Sequence, residues 1–204
     1  MNHLILPGLD GSGPGHWQSW WLGAVPGSRF IEQDEWSKPT PLQWETRAEA
    51  EIAESPGAIL IAHSLGCALV ANLVRRCPDL PIQGALLVAP ADVDDRSWTP
   101  PGVAAFGPMP TTKLPFPSIV VASRNDPYVA FERARHFAQS WGADFIDHGF
   151  AGHINTASGH GPWPDGVRLV ERLSAGPSRR RFSRDRNLPR DRGGNAAGLP
   201  PFSG

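Results

Sequence analysis

The residues Ala62-His63-Ser64-Leu65-Gly66 place a serine between an apolar run, GAILIA, and a stretch with helical spacing, LGCALVANLVRR. A serine hydroxyl held in a tight turn between a strand and the helix behind it stands clear of the sheet end, where it can attack a carbonyl carbon. The usual pattern for that turn is G-x-S-x-G, because small residues are needed where the elements approach each other. Here alanine replaces the first glycine and adds one methyl group. A helix starting at Ser64 also aims backbone N–H groups and the positive end of its dipole at whatever sits above the serine. The competing role for Ser64 is a simple N-cap.

A serine is a poor nucleophile until a base takes its proton, and that base needs a carboxylate to hold one tautomer. On a parallel sheet carrying such a turn, the chain order is serine, acid, histidine, each on a loop after a strand. Asp126 follows the run SIVVAS in the loop Arg124-Asn125-Asp126-Pro127 and is the candidate acid. Asp92, Asp94 and Asp95, after the preceding run, are its rivals, and a turn or N-cap aspartate is its structural alternative. His153 follows ADFIDH in the glycine-rich turn GFAGHIN and is the candidate base, with His160 in SGHGPWP as its competitor. His3, His136 and His148 fall in predicted strands or helices, where histidine is more often structural. His63 adjoins the nucleophile and is expected to point away from it.

Acyl transfer also needs donors for the negative oxygen of the tetrahedral intermediate. The N–H of Leu65 is the first candidate. The second is the N–H of Leu9, with Asp10 as fallback, in the loop Pro7-Gly8-Leu9-Asp10-Gly11-Ser12-Gly13. That loop has neither G-x-G-x-x-G nor a lysine-bearing phosphate loop, so a nucleotide cradle is the weaker reading. Of the eight tryptophans, Trp17, Trp98 and Trp163 are candidates to line an apolar acyl pocket. Packing between helix and sheet is the alternative for Trp20, Trp21 and Trp163.

The elements that must position these groups follow from periodicity. Short apolar runs near Leu4, Phe30, Ile59, Leu87 and Val120, with a sixth near Phe145, alternate with helical segments. The predicted fold is α/β: a compact, mainly parallel sheet of five to six strands in three layers, with helices on both faces and no large cap domain. The predicted helices are TRAEAEIAES, LGCALVANLVRR, YVAFERARHFAQSWG and PDGVRLVERLSA; the connection from Pro90 to Pro117 is long, proline-rich and aperiodic. At 204 residues one domain is expected, over 1–174, followed by a basic Pro/Gly/Arg-rich tail over 175–204 whose composition predicts disorder. The tail holds seven arginines and two aspartates, so its +5 leaves the remainder of a chain of net charge -1 at -6.

That near-neutral total and the lack of a long apolar run point away from nucleic acid and membranes and toward a small-molecule acyl substrate. No signal-like segment opens the chain. Cys67 and Cys77, ten positions and roughly 15 Å apart along one predicted helix, are beyond disulfide reach, so a cytoplasmic setting is expected.

Taken together, LPGLDGSGPGHWQSWW, AHSLGC, SRNDPYV and GHINTASGHGPWPDG resemble the small serine hydrolase family of the α/β-hydrolase superfamily, which includes the retinoblastoma-binding hydrolase and its bacterial relatives. The resemblance covers about the first 173 residues and implies hydrolysis without metal or organic cofactor, with Ser64, Asp126 and His153 matching the triad. An ester, amide or thioester is the expected substrate. A hydrolase-fold binding module with little chemistry, and an acyltransferase, are the alternatives.

Overall fold

The computed structural model describes residues 2–174; the predicted tail over 175–204 lies outside the described residues. The chain alternates strand and helix: β1 (His3–Leu6), α1 (Trp17–Ala24), β2 (Ser28–Phe30), α2 (Pro41–Ala53), β3 (Ala58–His63), α3 (Leu65–Arg76), β4 (Ile82–Val88), α4 (Pro101–Ala104), β5 (Ser118–Ala122), α5 (Phe131–Trp141), β6 (Asp144–Asp147) and α6 (Pro164–Ser174), with a 3-10 turn at Thr156–Ser158 before the last helix. All six strands are parallel, in the order β2-β1-β3-β4-β5-β6. The run near Phe145, the sixth candidate, is thus an edge strand.

Strand alternation sorts the core into two layers. Leu4, Leu6, Leu60, Ala62, Leu87 and Val120 face α2, α3 and α5; Ile5, Ile59, Ile61, Leu86, Val88 and Val121 face α1 and α6. The interior strands β3 and β5 are buried along their whole length, which is why their sequences read as continuous apolar runs. Every residue of α3 from Leu65 to Val74 is buried, so this helix packs all round and not along one stripe. Cys67 sits in this layer at zero exposure, with burial pushing its thiol pKa up, as a packing residue.

Two helices escaped the sequence reading. In α1, WQSWWLGA carries no charged residue, and it buries Trp17, Gln18 and Trp21 on one side. In the long loop, α4 is a single turn opened by Pro100 and Pro101. Helix α2 also begins earlier than TRAEAEIAES, at Pro41, where proline suits a first turn.

Candidate active site

Ser64 stands between β3 and α3 with φ 55° and ψ −121°, a backbone conformation that a side chain rarely adopts. Its side chain makes no cap hydrogen bond to α3. Instead Ser64 Oγ lies 2.8 Å from His153 Nε2, and His153 Nδ1 lies 2.8 and 2.9 Å from the two Asp126 carboxylate oxygens. A carboxylate accepts only, so Nδ1 carries the proton and Nε2 is free to accept from the serine hydroxyl. The Asp126 side chain is fully buried, and one of its oxygens also accepts the N–H of Tyr128 at 2.9 Å. The three residues inferred from chain order therefore form one hydrogen-bonded line at the carboxyl end of the sheet.

Tight backbone approach explains the glycines. A Cβ on Gly66 would lie 2.3 Å from the Leu6 carbonyl oxygen, and one on Gly8 would lie 2.8 Å from Ser64 Cβ. Ala62 needs no such space. It faces the α2–α3 layer inside β3 at zero exposure, so the departure from the glycine pattern is absorbed by core packing.

The acid and histidine loops are latched together by two residues that the sequence reading passed over. Asn125 Oδ1 accepts from Gly152 N–H at 2.8 Å and from the Ser123 hydroxyl at 2.9 Å, and Ser123 Oγ accepts from Ala151 N–H at 2.9 Å. On the far side, Trp17 Nε1 donates to the Ile154 carbonyl at 2.9 Å. This second anchor holds Ile154 at φ 48° and completes the loop's support.

The rivals are committed elsewhere. Asp92 and Asp94 pair with Arg133 at 3.1 and 2.8 Å, and Asp95 caps its own turn through Ser97 N–H at 2.9 Å. His160 Nε2 meets His148 Nε2 at 3.0 Å, away from Ser64. The N–H of Asp10 donates to the Trp36 carbonyl at 3.1 Å, which removes the fallback for the second oxyanion donor. Leu9 and Leu65 both line the cavity beside Ser64.

That cavity, of about 380 Å³, is lined by Leu9, Leu65, Trp98, Pro100, Val103 and Tyr128 on its apolar side, and by Asp10, His16, His63 and Asn155 among its polar groups. The long loop thus supplies a wall. Of the three tryptophans expected in the pocket, Trp98 lines it, packed 4.9 Å from the Tyr128 ring. Trp17 and Trp163 do not. They meet edge to face at 5.3 Å in the α1–α6 layer, at zero and 5% exposure, because the face opposite α3 needs large apolar groups to fill it. His63 also departs from expectation. Alternation turns it to the α1 face, but there its ring lies 4.8 Å from that of His153, and its Nε2 donates to the His153 carbonyl at 2.9 Å. Its neighbour His16, at 4.9 Å, had no signal in the sequence beyond its place before the tryptophans.

A family model for serine hydrolases matches residues 3–172. The chain belongs to the serine hydrolase family. A solved YdeN-like hydrolase from Pectobacterium atrosepticum is 32% identical to this serine hydrolase, with a TM-score of 0.75 over 85% of this chain and 90% of that one. The ydeN gene product of Bacillus subtilis is 17% identical, with a TM-score of 0.67 over 86% and 100%. Carboxylesterase CesB, also of B. subtilis, is 14% identical, with a TM-score of 0.58 over 86% and 84%. At those identities the last two speak to the fold. No curated protein sequence matches significantly. Among the described residues of the serine hydrolase, no helix is long and apolar enough to cross a membrane, and no group of three or more His, Cys, Asp or Glu is placed to hold a metal ion.

Burial is the leading cause of a lowered pKa at His3, His16, His63, His148 and His160, down to about 4 for His16. Below pH 6.5 the unfolded chain binds these protons more readily than the folded one, so stability is fully present above that pH and is lost as pH falls toward 4. Urea midpoints measured at pH 8, 6.5, 5 and 4 are expected to be level across the first step and to fall over the rest. A midpoint that rises on acidification contradicts this account.

Proposed function

We propose that this serine hydrolase cleaves small esters through an acyl-enzyme intermediate formed on Ser64. Ser64 Oγ attacks the acyl carbonyl while His153 Nε2 takes its proton, and the N–H groups of Leu65 and Leu9 receive the developing oxyanion. Asp126 orients His153 and stabilises the imidazolium. The intermediate collapses as His153 returns the proton to the leaving oxygen, and water, activated by the same imidazole, then releases the acid and restores Ser64. The single observation that carries this reading is the Ser64–His153–Asp126 line, with 2.8 Å at each junction, opening into a cavity.

The cavity's size, and the wall that Trp98, Pro100 and Val103 place across its apolar side, support small or short-chain acyl groups. With both cysteines free, we place the enzyme in the cytoplasm. Labelling with a fluorophosphonate probe, with the adduct located by mass spectrometry, is the direct test: an adduct on Ser64 is expected. A folded protein that resists labelling points to a binding role. On a panel of para-nitrophenyl esters, acetate and butyrate are expected to exceed long-chain esters in kcat/KM, and the reverse order overturns the size assignment.

A further inference from the structure

His16 uses its two ring nitrogens differently. Nδ1 accepts the Gln18 N–H at 3.1 Å and caps α1. In the neutral ring the proton therefore sits on Nε2. Burial, reinforced by His153 and His160, holds the pKa near 4, so the ring is uncharged at neutral pH. The residue is 6% exposed and lines the cavity, yet Nε2 has no hydrogen-bond partner among the described residues. Nε2 keeps access to solvent in the cavity, so an occupant that accepts from it takes over a hydrogen bond otherwise left to water.

The walls of the cavity come from different layers. Leu9, Leu65, Trp98 and Val103 belong to the layer with α2 and α3, whereas His16 and His63 pack against Trp17 of the other layer. Ring centroids run from His153 to His63 at 4.8 Å and on to His16 at 4.9 Å, so the polar wall starts at the base. The leaving oxygen must receive its proton from His153 Nε2, and the Tyr128 ring borders the His153 ring at 4.6 Å on one side and His63 on the other. A leaving group that extends along the His63 side reaches His16, with the acyl group against the apolar wall. Among the described residues no Lys or Arg lines the cavity, and Asp10 does, which disfavours an anionic leaving group.

We infer that His16 Nε2–H selects esters whose alcohol portion carries an uncharged oxygen acceptor, such as an ether or hydroxyl, close to the ester oxygen. The inference rests on the Ser64 reading above.

The test compares 2-methoxyethyl butanoate with its near-isostere butyl butanoate by pH-stat, each kcat/KM divided by the ester's own rate of alkaline hydrolysis. For the wild type, a preference of about tenfold for the methoxyethyl ester is expected, the worth of one hydrogen bond in a desolvated site. His16→Asn keeps an N-cap acceptor and removes the imidazole donor, and its ratio is expected to fall to about one. Should that variant not fold, His16→Phe, which keeps the ring's packing, is read the same way. A wild-type ratio of one, or a ratio unmoved by the substitution, overturns the inference while turnover continues. Loss of turnover of both esters together with no fluorophosphonate adduct overturns the Ser64 reading, and this inference with it.

Discussion

Replacing Ser64 with alanine is expected to lower kcat/KM for a short-chain ester by about 10⁴-fold or more and to leave a folded protein. The magnitude follows from the proposed chemistry: without the hydroxyl there is no acyl-enzyme, and only the oxyanion donors and binding remain to accelerate direct attack by water. The fold is expected to survive because the side chain makes no cap bond to α3 and alanine keeps the Cβ that occupies the elbow. Asp126→Asn is the companion variant. Its amide nitrogen, set against His153 Nδ1, favours the wrong tautomer and is expected to cost about 10⁴-fold. Steady-state rates and a circular dichroism melt on both variants check the pair. A Ser64→Ala protein that retains a tenth of wild-type turnover after repurification would remove Ser64 from the mechanism.

Gly66→Ala is expected to destabilise the protein by roughly 3 kcal/mol or more, against the ordinary direction for a helix. In an open helical position, glycine to alanine gains about 1 kcal/mol. Here the new Cβ would stand 2.3 Å from the Leu6 carbonyl oxygen and 2.8 Å from that of Pro7, backbone atoms at the end of a strand paired on both sides. Overlap of that size moves α3 or β1, and either motion displaces Ser64 relative to Leu9. Urea denaturation, with activity measured alongside, decides the sign. An unchanged or raised midpoint would mean that β1 and α3 sit further apart than described.

How much of this was legible beforehand depends on which physical rule governs each residue. The strands were readable because burial on both faces removes polar alternation, as in AILIAH and SIVVA. Ser64 and Asp126 were readable because each follows such a strand and His153 because it follows the edge strand β6, and a parallel sheet gathers its strand ends along one edge. Trp17 and Trp163 were misplaced for the opposite reason: an aromatic side chain suits a pocket and a core equally well, and only the packing of α1 against α6 separates the two. The Asn125–Ser123 latch, the edge-to-face packing of His16 on His63 behind His153, and the loss of Asp10 to Trp36 all join residues far apart in the chain through single hydrogen bonds or ring contacts.

The sequence by itself determined the parallel α/β architecture, the elbow at Ser64 and the order of its partners, because local periodicity and turn chemistry act over a few residues. Tertiary structure alone decided which tryptophan meets the cavity, that the Asp10 N–H is taken by the Trp36 carbonyl, and that a buried, uncharged His16 lines the cavity beside the serine. Those outcomes depend on distances between loops, and loop approach is set by the closure of the whole sheet and its two helical layers.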